Sequence, residues 1–395
     1  MATRVSEGLQ VLTGHQAVAE AMRQIEPDVV AAYPITPQSE IMRYFAGFVA
    51  DGRVDTELIT VESEHSAMSA CVGASVAGAR TMTATASQGL ALMIEIVYIA
   101  AAMRCPIVMA IANRALSGLI NIHCDHSDAM LGRDAGVAQL FAEDAQEAYD
   151  FMLMALRIAE HEDVLLPVWV NLDGFTLTHT ADVVELLDDL TVKEFVGEYE
   201  PRYPLLDVDH PTTQGPFALP DYYFELKRQQ VDAIGNVPRV LLEVQAEFSR
   251  VSGREYEGSL EPYYLDDAEY VLVVMGSTAG TAKEAVDRLR EEGEKVGLLK
   301  LWLFRPFPRE ELAAALEGKR AVAVLDRAFS LGSYGPLYLE VSSALYEVQE
   351  RPRLYNYTYG LGGRDTTAEQ LEEVLRQIQD EGLSKEMHYI GLREE

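Results

Sequence analysis

A short β-branched run, Thr81-Met82-Thr83-Ala84-Thr85, leads directly into the polar turn Ala86-Ser87-Gln88-Gly89 and then into a helix-length apolar segment. Four more apolar or β-branched runs of similar length occur in the first half of the chain: Asp28 to Tyr33, Leu58 to Val61, Ile107 to Ala112 and Val164 to Asn171. Short runs separated by helix-length segments are typical of βαβ units. Their almost continuous apolar character indicates strands covered on both faces, so the sequence predicts a doubly wound, mostly parallel α/β sheet.

The remainder of the chain predicts a connector and a second α/β unit. Prolines and tyrosines crowd between Tyr199 and Phe224, which is typical of an extended segment. Apolar residues then recur at helical spacing from Leu226 to Phe248, and Gly235 and Pro238 divide this stretch into two helices. Later strands are predicted at Tyr270 to Met275, Val296 to Phe304 and Ala321 to Leu325. At 395 residues the chain suits two or three domains, and we expect them at 1–190, 191–262 (connector and linking helices) and 263–395.

Charge and cysteine content exclude several classes of function. A formal net charge of −31 disfavours binding to nucleic acid or to an anionic membrane. The longest apolar stretch, Gly89 to Met103, contains Glu95 and is too short to span a bilayer. The first eight residues show no secretory signal, so a cytoplasmic protein is expected. Cys71, Cys105 and Cys124 are isolated, which fits neither a disulfide framework nor a four-thiolate cluster.

Polar residues follow the predicted strands at the positions where parallel sheets bind ligands, the carboxyl ends. These residues include Thr36, Glu64, Gln88 and Arg114, so one sheet edge is expected to collect a hydroxyl, a carboxylate, an amide and a guanidinium. The sequence contains neither a Gly-x-x-x-x-Gly-Lys loop nor a Gly-x-Gly-x-x-Gly motif after a strand. A nucleotide-dependent oxidoreductase acting alone is therefore disfavoured.

Several of these segments closely resemble the α subunits of 2-oxoacid:ferredoxin oxidoreductases, most of all those of the pyruvate enzymes. The strongest matches are Tyr33-Pro34-Ile35-Thr36-Pro37, Val61-Glu62-Ser63-Glu64-His65-Ser66-Ala67, Thr83 to Leu90 and Asn113-Arg114-Ala115-Leu116-Ser117. Weaker matches are Asn121 to Asp128, Leu172-Asp173-Gly174-Phe175, Phe304 to Pro308 and Tyr359 to Asp365. The resemblance implies a thiamin diphosphate pyrimidine-binding domain followed by a transketolase C-terminal-like domain.

The family also implies roles for three residues. Glu64 would hydrogen-bond the aminopyrimidine ring of thiamin diphosphate and promote its imino tautomer; alternatively it only stabilises the first turn of a helix. Arg114 would hold the substrate carboxylate with its fork of donors, against the alternative of a surface ion pair. Thr36 would donate its hydroxyl to the same substrate, although Thr36 before Pro37 is also a good helix cap.

Other polar residues carry weaker interpretations. Ser87 and Gln88 are candidates for lining the cofactor pocket, and a plain strand-to-helix turn explains them almost as well. His123, Asp125, His126 and Asp128 suggest a metal site by composition, but their spacing fits no helical His-x-x-x-His pair, and the resembled family has a loop without metal there. We therefore expect no metal ligand in this chain.

The resulting hypothesis is the α subunit of a pyruvate:ferredoxin oxidoreductase. It would share thiamin diphosphate with a partner, use coenzyme A as co-substrate and rely on β, γ and δ type subunits for Mg²⁺, [4Fe-4S] clusters and contact with ferredoxin. The acidic surface would repel an acidic ferredoxin, which predicts docking on another subunit; the alternative is that this charge only keeps the chain in solution. The alternatives are the same chemistry on another oxoacid such as 2-oxoisovalerate, or a non-catalytic scaffold subunit.

Overall fold

The computed structural model describes residues 8–393. The expectation that no secretory signal is present concerns the first eight residues, of which 1–7 lie outside this range.

The first part of the chain alternates strands and helices, as the sequence predicts. Its elements in chain order are β1 (Leu9–Thr13), α1 (Gly14–Ile25), β2 (Val29–Ala32), α2 (Ser39–Ala50), β3 (Glu57–Thr60), α3 (Glu64–Ala77), β4 (Thr81–Thr85), α4 (Ser87–Ala102), β5 (Val108–Asn113), α5 (Ser127–Leu131), β6 (Ala138–Phe141), α6 (Ala145–Glu160), β7 (Val168–Asp173), β8 (Ala181–Glu185) and α7 (Asp189–Val196).

The second part begins with two helices and continues with a second alternating unit. Its elements are α8 (Tyr223–Gly235), α9 (Val237–Ser252), β9 (Leu260–Tyr263), β10 (Tyr270–Met275), α10 (Thr278–Glu291), β11 (Val296–Leu301), β12 (Leu303–Arg305), α11 (Arg309–Leu316), β13 (Ala321–Asp326), α12 (Pro336–Ala344), β14 (Arg353–Thr358), a 3-10 turn (Leu361–Gly363), α13 (Ala368–Gln377) and β15 (His388–Tyr389). The predicted division between the two helices is confirmed, because α8 ends and α9 begins around Asn236, with a proline in the first turn of α9.

The first sheet has seven strands in the order β12-β6-β7-β5-β4-β2-β3, and all its pairings are parallel except that of β12 with β6. Alternate residues of its central strands face opposite layers. Val108 and Ala110 pack toward α1 and α6, whereas Met109 and Ile111 pack toward α3 and α4. Helices therefore cover both faces, and the predicted doubly wound sheet is confirmed.

The second sheet has six strands in the order β15-β14-β13-β10-β11-β9, with β9 antiparallel to its neighbour and the other pairs parallel. The prediction of one strand from Val296 to Phe304 is wrong. The run breaks at Trp302, and its last part forms β12 at the edge of the first sheet. Lys300, near the end of β11, is buried. Its ammonium group lies 2.5 Å from Glu143, 2.5 Å from Glu147 and 2.8 Å from Glu261, so the same segment joins the two sheets.

Candidate functional site at the carboxyl edge of the first sheet

Arg114 lies directly after β5 and presents a largely buried guanidinium to this edge; only 9% of the residue is exposed. Its Nη1 donates to the Thr36 carbonyl at 2.9 Å and its Nε donates to the Asn121 carbonyl at 3.1 Å. No described residue forms a salt bridge with it, which argues against the surface ion pair. Burial lowers the pKa of Arg114, and the neighbouring Asp128 carboxylate opposes this shift. A charged guanidinium held by neutral carbonyls is suited to receive an anion.

Thr36 lies in the exposed turn between β2 and α2, beside this guanidinium. The alternative interpretation of Thr36 as a helix cap does not hold. Helix α2 begins at Ser39, its N-cap residue is Gln38, and the Ser39 amide donates to the Ile35 carbonyl. The Thr36 side chain is therefore not engaged at the helix end.

Glu64 is the first residue of α3 and is 93% buried, because α3 begins at the Ser63 cap and packs its small side chains against the sheet. No hydrogen bond joins its carboxylate to another of the residues in 8–393. Gly89 of α4 lies directly against it, since a Cβ at position 89 would come within 2.7 Å of Glu64 Oε1 and 2.5 Å of Thr85 Oγ1. The Thr85 hydroxyl is also buried without a partner among the described residues. A buried hydroxyl without a partner is unusual, and this one borders the space in front of the Glu64 carboxylate.

Ser87 and Gln88 are the first two residues of α4, directly after the turn that follows β4. Ser87 has φ 49°, a left-handed conformation that is uncommon for a residue with a Cβ. Its Oγ lies 2.6 Å from both the Ala115 carbonyl and Gln88 Oε1, and Gln88 Nε2 contacts Ser117 Oγ. Both side chains thus link the turn after β4 to the segment after β5, and their role toward a cofactor stays a prediction.

Asp128 connects the segment after β4 to the segment after β5. Sequence reasoning missed it as a functional residue. It is completely buried, and its carboxylate accepts hydrogen bonds from the amides of Ser87 and Arg114 at 2.9 Å, from Asn113 Nδ2 at 2.9 Å and from the Ala129 amide at 2.8 Å. Burial raises the pKa of Asp128 to about 6, against the opposing effect of these donors. Asp128 thereby holds the backbone of Arg114 in place through the Arg114 amide.

Asp173, at the end of β7, connects the first sheet to the second unit and was also missed. It accepts from Arg327 Nη1 at 2.7 Å and from Ser277 Oγ at 2.6 Å, and it lies 2.7 Å from His126 Nε2. Burial alone would raise the pKa of Asp173, but Arg327 and His126 hold it well below its usual range. The available sequence signal was its place in Leu172-Asp173-Gly174-Phe175, directly after a strand.

The weaker family-like segments meet around this network. Asn121 Nδ2 donates to the Gly362 carbonyl at 3.1 Å, and the Gly363 amide donates to the Cys124 carbonyl at 3.0 Å. The loop after Arg114 is therefore held against the 3-10 turn of the second unit.

Two groups of potential metal ligands lie among the described residues, and a basic side chain contacts each. Cys124, His126 and Asp173 form the first, where Arg327 contacts Asp173. The second comprises Glu143, Glu147 and Glu261, all of which contact Lys300. Lys300 and Arg327 thus supply the positive charge that a metal ion would supply at these two groups.

Two family models match the chain in series. The first is described as pyruvate flavodoxin/ferredoxin oxidoreductase, thiamin diphosphate-binding, and matches residues 20–246; the second is described as pyruvate:ferredoxin oxidoreductase core domain II and matches residues 268–371. The doubly wound sheet with Glu64 and Arg114 at its carboxyl edge lies within the first match. The fold and the two family matches thus define a chain of the thiamin diphosphate-dependent 2-oxoacid oxidoreductase class.

Curated relatives narrow this class. The chain is 61% identical over 392 residues to pyruvate synthase subunit PorA of Thermotoga maritima, covering 99% of this chain and all of that protein. It is 48% identical to PorA of Pyrococcus horikoshii (98% of each chain) and 43% identical to the ketoisovalerate oxidoreductase subunit VorA of Pyrococcus abyssi (97% of this chain and 98% of VorA). The chain belongs to the pyruvate:ferredoxin oxidoreductase family, as its α-type subunit, and the expected family is confirmed. Because these relatives are named as subunits, a multi-subunit assembly is supported.

Solved structures agree on the fold. A 2-oxoglutarate:ferredoxin oxidoreductase from Magnetococcus marinus superposes with a TM-score of 0.74 at 20% identity, over 94% of this chain and 66% of that chain. A split-gene transketolase gives a TM-score of 0.55 at 13% identity, over 93% of this chain and 98% of that chain. The predicted fold class, a thiamin diphosphate-type domain followed by a transketolase-like α/β domain, is confirmed. Among the described helices, none combines the length and apolar character needed to cross a bilayer.

Proposed function

We propose that this chain is the α subunit of a pyruvate:ferredoxin oxidoreductase. The complex would convert pyruvate and coenzyme A to acetyl-CoA, CO2 and reduced ferredoxin, and would also run in reverse. The observation that carries the proposal is that one sheet edge holds both the buried Glu64 carboxylate and the buried Arg114 guanidinium. Neither has an ion-pair partner among residues 8–393.

The residues at this edge fit the aminopyrimidine half of thiamin diphosphate. Glu64 offers a carboxylate to a ring nitrogen, and the space that Gly89 leaves open lets that carboxylate occupy its present position. Bound thiamin diphosphate supplies an electron sink for the negative charge that remains on the substrate when CO2 leaves. Glu64 would hold the proton shared with the ring, while Ser87 and Gln88 would border the pocket.

Arg114 and Thr36 would bind the substrate. The two planar N–H groups of a guanidinium match a carboxylate, and burial of Arg114 strengthens that interaction by excluding water. The Thr36 hydroxyl, free of the helix end, would donate to the same pyruvate. Asp128 would keep Arg114 in place through the backbone amide.

Other groups of the reaction would come from partner chains. Burial raises the pKa of Cys71 to about 12 and of Cys105 to about 11, and it raises the pKa of Cys124 well above its usual value. These protonated, buried thiols do not suit an iron–sulfur cluster. We therefore assign the [4Fe-4S] clusters, Mg²⁺ with the cofactor diphosphate, and the contact with ferredoxin to β, γ and δ type subunits. We also assign the complex to the cytoplasm and to anaerobic metabolism. The domain limits 1–190, 191–262 and 263–395 also stand as a proposal.

Pyruvate is favoured over 2-oxoisovalerate because the PorA relatives are more similar to this chain than the VorA relatives are. The test is to co-express the chain with its partner subunits and to compare coenzyme A-dependent reduction of a viologen dye with pyruvate, 2-oxoisovalerate and 2-oxoglutarate. Pyruvate should give the highest kcat/KM. Preference for another oxoacid would overturn the substrate while keeping the family, and inactivity with all three would favour the scaffold alternative.

The Arg114→Lys variant tests the carboxylate role in the same complex. Lysine keeps the charge but loses the paired donors, so the KM for pyruvate should rise by roughly 10-fold to 100-fold while the affinity for thiamin diphosphate stays unchanged. An unchanged KM would remove Arg114 from the substrate site.

A further inference from the structure

Strand β4 places three threonines on the face that is covered by α3 and α4. Thr81, Thr83 and Thr85 alternate along the strand, and all three are completely buried. The Thr83 hydroxyl donates to the Ala31 carbonyl at 2.6 Å. The hydroxyls of Thr81 and Thr85 have no hydrogen-bond partner among the described residues. A buried hydroxyl without a partner is unusual and calls for a specific explanation.

Thr85 differs from Thr81 in what lies beside it. It ends the strand at the carboxyl edge, and its Oγ1 borders the same space as Glu64 Oε1 in front of Gly89. The two oxygens lie 2.5 and 2.7 Å from the position that a Cβ on residue 89 would take. Thr81 lies at the opposite end of the strand, away from that edge.

We propose that Thr85 is a positioning residue for Glu64, to which its hydroxyl donates a hydrogen bond when the aminopyrimidine ring is bound. This inference rests on the proposed function. Oε1 of Glu64, the carboxylate oxygen that borders Gly89, would accept from Thr85, so that the other oxygen faces the ring nitrogen. Because residue 89 is a glycine, no Cβ occupies the space that both oxygens border.

The donated hydrogen bond restricts the side-chain torsions of Glu64 and thereby orients its free oxygen. Such a contact matters most during proton transfer, which depends on short, well-aligned geometry. A purely structural threonine would affect the stability of the sheet without a specific effect on the reactivity of the cofactor.

The test is the rate at which the thiazolium C2 proton of bound thiamin diphosphate exchanges with deuterium in the assembled complex, measured by acid quench and proton NMR. Neither substrate nor electron transfer enters this measurement. Thr85→Val should slow the exchange by about tenfold, the usual effect of one hydrogen bond to a charged group. Thr85→Ser, which keeps the hydroxyl, should remain within about twofold of the unmodified complex.

Thr81→Val is the matched control, since it removes an equally buried and equally unpaired hydroxyl from the same face of the same strand. It should leave the exchange rate unchanged. Equal rates for Thr85→Val and the unmodified complex, or equal slowing by both valine variants, would overturn the proposal. If Thr85→Val does not assemble, Thr85→Ala removes the hydroxyl without adding a methyl group and is judged by the same criteria.

Glu64→Gln separates this inference from the proposed function. If Glu64→Gln slows exchange strongly and Thr85→Val does not, only the role of Thr85 is wrong. If Glu64→Gln exchanges at the unmodified rate, the proposed cofactor role of Glu64 fails and the inference fails with it.

Discussion

Replacing Asp128 by asparagine should weaken substrate binding in a protein that still folds. The carboxylate accepts four hydrogen bonds, two at each oxygen. An asparagine has one acceptor oxygen, so in either orientation its NH2 group would face two of these donors. Two buried donors left without acceptors cost about 2 to 6 kcal/mol in total.

The charge of Asp128 carries an opposing cost, which asparagine removes. The pKa of about 6 lies above the ordinary 3.8, so burial of the ionised carboxylate costs on the order of 3 kcal/mol at neutral pH. The net loss of folding stability should therefore be at most about 3 kcal/mol. The turns that carry Ser87 and Arg114 would nevertheless lose their common anchor, and the KM for pyruvate should rise at least tenfold.

The pH dependence follows from the direction of this shift. Because the folded pKa is raised, the stability associated with Asp128 is greatest at acidic pH, declines as the pH rises from about 4 to about 6, and is constant above that. Thermal unfolding of the assembled complexes between pH 4.5 and 7.5 should thus show the unmodified protein losing stability relative to Asp128→Asn up to about pH 6. Pyruvate KM measured at pH 7.5 completes the assay. A large stability loss with an unchanged KM would refute the assignment of Asp128 as an anchor for Arg114.

Two further predictions concern a buried lysine and a buried glycine. Lys300→Met should destabilise the protein by about 3 to 5 kcal/mol in thermal unfolding, because three clustered carboxylates lose their buried cation. The control Lys295→Met, at an exposed position, should cost less than about 1 kcal/mol, and similar losses of stability in the two variants would contradict the reasoning. Gly89→Ala should lower the kcat for pyruvate at least tenfold, since its Cβ would come within 2.7 Å of Glu64 Oε1. Gly47→Ala is the control, because its Cβ meets open space, and it should keep the unmodified kcat. Equal activities of the two variants would show that the site tolerates the methyl group and would contradict the prediction.

Several strands of the two sheets were predictable because they are nearly continuous apolar or β-branched runs. Strand β4 coincides with the predicted Thr81 to Thr85, and β10 with Tyr270 to Met275. The three-residue strand β12 was not predictable from its own sequence, since it is defined by pairing with β6, more than 150 residues earlier in the chain. The ribbon of β1 and β8 was missed for the same reason, as its two partners are far apart in the sequence.

The candidate site was predictable where chain position alone places a residue at the sheet edge. Glu64 and Arg114 follow their strands, and the βαβ pattern predicts that both lie at the carboxyl edge of the sheet. Asp128 and Asp173 were missed because their importance depends on tertiary partners. The Arg327 side chain that fixes Asp173 comes from the second unit, 154 residues away.

The most direct test of the central claim is the effect of Glu64→Gln on pyruvate- and coenzyme A-dependent viologen reduction by the assembled complex. Glu62→Gln makes the same change two residues earlier at an exposed position and serves as the control. We expect Glu64→Gln to reduce kcat by at least about 100-fold while Glu62→Gln stays near the unmodified rate. Full activity of Glu64→Gln would contradict the assignment of this chain to one half of the thiamin diphosphate site.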